Sequence, residues 1–189
     1  MMITQYAIVV TGMPCSGKTS VARYLHKSLA VPMASKDMFK ELLFDTLGWR
    51  DRAWSIRLDV PSVALLFNFL NTHLEIGQCC MIDHWFDSLS DEGHLVAMQK
   101  ELRFTVIQIL CHAPGPILFS RFTARAISGS RHPGHCDEFT YDEHKNLLMS
   151  GGVEPLSTEG PLIKIDTSDF DQVYFEDIAA HVARLLHLS

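Results

Sequence analysis

The chain lacks several features that would assign it to common classes. No run in its 189 residues reaches the roughly 18–20 consecutive apolar positions of a membrane-spanning helix, so no membrane role is expected. The N-terminus enters an apolar run almost at once, without the basic stretch and small-residue cleavage site of a signal peptide; the expected setting is the cytoplasm. Five cysteines, Cys15, Cys79, Cys80, Cys111 and Cys136, show no disulfide spacing, and their odd number suits reduced thiols. Lys and Arg form no runs, only a loose set at Arg121, Arg125 and Arg131, and the net charge is −6. Such a balance is poorly suited to non-specific nucleic-acid binding, although it does not bar a local basic groove. Repeats, low-complexity tracts and an evident linker are all missing, which leaves one domain over residues 1–189.

What is present centres on Gly12-Met13-Pro14-Cys15-Ser16-Gly17-Lys18-Thr19, which fits G-x-x-x-x-G-K-[ST]. The glycines allow a tight turn whose successive N–H groups converge on one anion. Lys18 can reach β- and γ-phosphates, and the Thr19 hydroxyl can ligand Mg²⁺. Tyr6 to Val10 is a β-rich apolar run entering the loop. Ser20 to Leu29 then has helical spacing (Val21, Leu25, Leu29), so a helix N-terminus lies under the phosphates. The loop, Gly12 through Ser20, is therefore the expected seat of a nucleoside triphosphate.

Strands are expected near 5–11, 32–35, 79–83, 103–111 and 161–166. Helices are expected over 17–29, 36–47, 61–75, 90–102 (with Ser90 as cap), 114–127, 139–149 and 171–188. Residues 48–59 mix charge with large aromatics and have no clear period. Strands alternating with helices of this length specify an α/β doubly wound parallel sheet, with the loop at its carboxyl edge.

Four features carry candidate chemistry. In Ser35-Lys36-Asp37 a carboxylate at the carboxyl edge can accept a proton from an attacking hydroxyl; alternatively, Ser35 or Asp37 only caps the following helix. Met81-Ile82-Asp83 looks like a strand-end carboxylate that orients Mg²⁺, faces the acceptor, or is simply held by backbone donors. Arg121 and Arg125, four apart on one helix face, lead towards Arg131-His132-Pro133-Gly134-His135. They suit a mobile lid over about 115–138 that neutralises the γ-phosphate, or else a solvated basic face. Thr167 or Ser168, after the last strand, would lie beside the nucleotide base or cap the final helix. Zinc at His132, His135 and Cys136 lacks a clear fourth ligand. Trp49, Trp54, Phe67 and Phe69 are either an acceptor wall or core.

On these residues the chain resembles the small P-loop kinases grouped with zeta toxins, chloramphenicol phosphotransferase and polynucleotide kinase. It is most similar to the AAA-type ATP-binding predicted kinases of bacteria. The resemblance rests on the P-loop, Ser35-Lys36-Asp37 with Lys40-Glu41, the run from Phe44 to Gly48, the arginine helix, and the segment from Arg131 to His135. It implies a three-layer P-loop fold with a parallel five-stranded sheet in the order 2-3-1-4-5, and ATP·Mg²⁺-dependent phosphorylation of a hydroxyl on a small acceptor. Asp37 would be the base, Lys18, Arg121 and Arg125 would act on the transferring phosphate, Arg131 would bind nucleotide, and Thr19 with Asp83 would hold the metal. Polynucleotide 5′-hydroxyl kinase, a zeta-like sugar-nucleotide kinase and a nucleotide-dependent switch are the alternatives. The oligomeric state is left open. Cys15 stands where many relatives have glycine. Strain is expected if its φ is positive, and so is a thiol pKa lowered by the helix N-terminus, making it redox-sensitive.

Overall fold

The computed structural model describes residues 5–86 and 89–187. Five strands, β1 (Tyr6–Thr11), β2 (Met33–Ser35), β3 (Cys80–Asp83), β4 (Thr105–His112) and β5 (Leu162–Asp166), form one parallel sheet in the order β2-β3-β1-β4-β5. This is the expected order. The central strands read as unbroken apolar runs because helices cover both of their faces.

Alternate residues of β1 supply opposite cores. Ala7 and Val9 pack with Leu66, Leu70 and Leu74 of α4 (Asp59–Glu75) and Leu95 of α5 (Leu89–Leu102). Ile8 and Val10 pack with Val21 and Leu25 of α1 (Lys18–Leu29) and Val182 of α8 (Phe175–Leu185). A third cluster lies beneath the P-loop, where Met13 meets Leu118 and Phe122 of α6 (Gly115–Ser128) and Leu148 of α7 (Tyr141–Ser150). Register then sets the site. Val10 pairs with Asp83, and Asp83 with Ser35, so the P-loop, Asp83 and the start of α2 (Lys36–Leu47) leave the sheet at one level.

The unreadable stretch holds a short helix, α3 (Arg52–Arg57), capped by Asp51, whose Oδ1 accepts from the Trp54 N–H at 2.8 Å. Helix α5 starts at Leu89, so Ser90 lies inside it rather than capping it. The last helix begins at Phe175, not 171, because Asp169 caps a tight turn over Phe170–Gln172. Its expected end at Leu188 lies outside the described residues, as do residues 1–4 at the expected leaderless start.

The near-continuous helical stretch Arg52–Glu75 is, by length and composition, apolar enough to cross a membrane, which a search for unbroken apolar runs passes over. One face, with Leu66, Phe67, Leu70 and Leu74, is buried on the sheet, while Ile56, Val60 and Leu65 of the same stretch are exposed.

Gln99 of α5 fixes the lead-in to β5. Its Nε2 donates to the carbonyls of Glu159 (2.6 Å) and Phe104 (3.2 Å), and its Oε1 accepts from the Glu159 N–H (2.9 Å). Gln99→Met removes these bonds, leaving the Glu159 carbonyl only the Val106 N–H at 3.2 Å, and should cost about 1–2 kcal/mol in urea unfolding. A change below about 0.5 kcal/mol would show that strand pairing alone holds the segment.

Candidate active site

A Cβ at Gly12 (φ +147°) would collide with the Cys111 carbonyl and lie 2.6 Å from the Ser16 Oγ, so the loop can take this path only with glycine there. Gly17 is the N-cap of α1. The helix has no side-chain cap and no acidic residue in its first turn, which leaves its dipole and first N–H groups for an anion. The Ser16 hydroxyl is buried without a partner among the described residues, a second group suited to phosphate oxygens. Cys15 has φ 65°, the strained conformation expected. Its expected acidity is not found. Burial pushes the thiol up, and Arg125, Lys18 and Arg131 nearby do not reverse that.

Beside the loop, the Thr19 hydroxyl donates to the Asp83 Oδ2 at 2.6 Å. Asp83 is 3% exposed, and its Oδ1 has no partner among the described residues. Burial raises its pKa, against the pull of Lys18 and the Thr19 hydroxyl. Two hard oxygen donors with one buried oxygen atom left over fit a divalent cation or its water.

The acid after β2 is not spent on capping. Ser35 caps α2, its Oγ accepting from the Met38 N–H at 3.0 Å. That frees Asp37, which forms an ion pair with Arg131 and keeps 48% of its side-chain surface open to the cleft. Burial alone would push the Asp37 carboxyl up. Arg131, His135, Lys18 and Lys36 outweigh it and hold the group well below the usual carboxylate range.

The two helix arginines diverge. Arg125 lines the cleft and pairs with Asp137 at 3.0 Å. Arg121 takes another course: its Nη2 donates to the carbonyls of Thr167 (2.6 Å) and Ser168 (3.1 Å), its Nη1 to the P-loop carbonyl of Cys15 (3.5 Å), and its guanidinium lies 4.8 Å over the Phe170 ring. Arg121, expected at the γ-phosphate, is thus held by carbonyls of the last loop and of the P-loop. The expectation that Thr167 lies beside the base is corrected. Fully buried, its hydroxyl lies 2.6 Å from the Ser16 carbonyl and 3.0 Å from that of His112, so it supports the P-loop from behind rather than touching a base.

The segment after α6 docks on α2 through three pairs spaced four residues apart. Arg131 meets Asp37, His135 Nε2 donates to Glu41 Oε1 at 3.0 Å, and His132 Nε2 donates to Asp45 Oδ1 at 3.2 Å. Arg131 also reaches Asp137 at 3.1 Å. Under this latch lies the buried ring of Phe44, stacked on His132 (centroids 5.1 Å, 15°) and edge-on to His135 (5.4 Å, 87°). The histidines once considered for zinc thus spend a ring nitrogen on carboxylates. Burial lowers the pKa of His135 against its Glu41 bond, and that bond lowers the pKa of Glu41. Helix α6 itself is anchored through Leu118 and Phe122, so the part over the cleft is the segment from 131 to 137.

Residues 8–145 match a family model described as an AAA domain. The chain belongs to that family. The solved structure of a protein inferred to be a kinase from Chloroflexus aurantiacus is 35% identical and covers 97% of this chain and 98% of its own at a TM-score of 0.89. Two structures at low identity share the fold. The APS kinase CysC of Mycobacterium tuberculosis is 14% identical, covering 97% of this chain and 99% of its own at TM-score 0.59. A sugar kinase from Janibacter sp. HTCC2649 is 15% identical, covering 98% and 96% at TM-score 0.56. No curated protein matches. The fold of this AAA-domain chain is that of the small P-loop kinases.

Sequence reasoning overlooked the cleft's far wall. Lys36 and Lys40 both pair with Asp59 at the start of α4, and Arg52, His84, Trp85 and His144 line the same space. The 48–59 stretch contributes through Arg52 and Asp59 rather than through its aromatics, and Phe67 is core. The one local signal was Lys36 and Lys40 a helical turn apart, flanking Asp37.

In this AAA-domain chain Gly134 sits against Phe44, and a Cβ there would lie 2.7 Å from the ring. Gly134→Ala should undock the latch. Expected is at least tenfold faster amide exchange across 131–137, with the β-sheet amides unchanged. Unaltered exchange there would show that the latch does not depend on this contact.

Proposed function

We propose that the protein is an ATP-dependent phosphotransferase that moves the γ-phosphate to a hydroxyl of a small-molecule acceptor. The observation that carries this reading is the placement of Asp37. It leaves the sheet level with the P-loop, is freed from capping by Ser35, faces the cleft beside Lys18, and lies in reach of a latch arginine. Asp37 takes the proton of the acceptor hydroxyl as its oxygen bonds to the γ-phosphorus. The bond from that phosphorus to the bridging oxygen breaks, and ADP leaves with the electron pair. Lys18, Arg125 and Arg131 neutralise the oxygens of the moving group. Thr19 and Asp83 would hold Mg²⁺, which supplies charge neutralisation at the phosphate oxygens.

The Arg131–Asp37 pair couples binding to basicity. While paired, Asp37 is charged but a weak base. A phosphate that draws Arg131 away lets the carboxyl rise towards its ordinary range. The docked latch leaves a cavity of about 160 Å³, below the roughly 300–1,000 Å³ usual for ligand sites. This supports a 131–137 segment that withdraws to admit substrates and closes again to exclude water.

ADP release with ATP·Mg²⁺ over a panel of sugars, sugar acids, nucleosides, antibiotics and a 5′-hydroxyl oligonucleotide tests the reading. One class should stimulate turnover, and Asp37→Asn should lower the stimulated rate by about 10²-fold or more while ATP still binds. Flat turnover that the substitution leaves unchanged would instead favour a nucleotide switch. Arg131→Gln should move the acid limb of kcat/KM upward towards pH 4, since losing the cation raises the pKa of Asp37. A limb that stays put would mean that Asp37 is not the titrating base.

A further inference from the structure

The far wall of the cleft carries charge that phosphoryl transfer does not use. Lys18 serves the triphosphate and Asp83 the metal, while Arg125 and Arg131 are balanced by Asp37 and Asp137. Three cations then remain on the lining, Lys36, Lys40 and Arg52, against two carboxylates, Asp59 on the lining and Glu143, which pairs with Arg52. Both lysines lean on the same Asp59 oxygen, Lys40 at 2.8 Å. Lys40 is 3% exposed, and burial pushes its pKa down even with Asp59 beside it, so half a carboxylate compensates it poorly. Arg52 spends Nη2 on the exposed Glu143 at 2.9 Å, while its buried Nε has no partner among the described residues. A local positive surplus in a chain of net charge −6, with a guanidinium N–H unused, is an incomplete anion site.

We propose that Arg52, Lys36 and Lys40 form the acceptor subsite and bind an anionic group, a carboxylate or a phosphate, on the molecule whose hydroxyl faces Asp37. This rests on the phosphotransferase reading and deepens it. Arg52 offers the fork that fits a planar or tetrahedral oxyanion, and the lysines act as point charges. Lys36 adjoins Asp37 and Lys40 lies one turn on. The reacting hydroxyl and the anionic group of the acceptor therefore lie in the same cleft. Hydroxy acids and sugar phosphates carry both groups. Cationic acceptors such as aminoglycosides are disfavoured, because they would meet like charge.

The test compares matched acceptors in ADP release: glycerate against glycerol, gluconate against glucose, and ribose 5-phosphate against ribose. At least one anionic member should exceed its neutral partner tenfold or more in kcat/KM. The carboxylate and phosphate arms separate the two sources of the charge. Arg52→Gln should raise KM for that acceptor at least tenfold and change KM for ATP by less than twofold, with Arg52→Lys recovering part of the loss. Lys36→Gln, at a half-buried position, should act in the same direction. Neutral acceptors performing as well, or an effect of Arg52→Gln confined to KM for ATP, would overturn the subsite. Calorimetric titration of gluconate and ribose 5-phosphate into protein saturated with ADP·Mg²⁺ keeps the two readings apart. Binding that Arg52→Gln abolishes, without turnover, would sink the phosphotransferase reading and uphold the subsite. Binding of neither anion, or binding indifferent to Arg52→Gln, would sink the subsite whatever the turnover.

Discussion

The arrangement depends on the parallel register of β2, β3 and β1. Helical crossovers force every strand to run the same way, so each ends at the same edge. Because Val10, Asp83 and Ser35 lie level, the P-loop, the strand-end acid and the start of α2 meet without any long side chain having to span the sheet. The apolar faces of β1 supply the rigidity. Its two sets of alternate residues are locked into separate cores, and the backbone that enters the loop has little freedom to shift.

Within this frame two carboxylates a short way apart are driven in opposite directions. Asp83, almost wholly enclosed and bonded mainly to a neutral hydroxyl, is held up by burial. Asp37 is also pushed up by burial, but it is ringed by Arg131, His135, Lys18 and Lys36, and it falls. Unlike environments give like groups different chemistry, one suited to sharing an oxygen with a cation and the other to receiving a proton once its arginine is withdrawn.

What could be read in the sequence was what is local along it. The P-loop spacing, the apolar strands, Asp83 at a strand end and Asp37 after Ser35 each lie within a few residues of the signal that marks them. The sheet order followed from the resemblance. What could not be read depends on partners far along the chain. Arg131 meets Asp37 across 94 positions, Thr167 meets Ser16 across 151, and Arg121 is claimed by carbonyls 46 and 47 residues on. Helical spacing put Arg121 and Arg125 on one face but could not say which would reach the cleft. The Cys15 thiol misled for another reason. A place at a helix N-terminus argued for acidity, while desolvation, invisible in sequence, prevails.

The contact of Thr167 with the Ser16 carbonyl has a consequence for biosynthesis. The loop is written near the start of the chain, yet the hydroxyl that braces it from behind is supplied near the end, along with β5 and the carbonyls that hold Arg121. Closing so long a loop is slow relative to local helix formation. On the ribosome some 151 residues therefore separate the synthesis of Ser16 from that of the hydroxyl that braces it. The loop gains this brace only once β5 has joined the sheet.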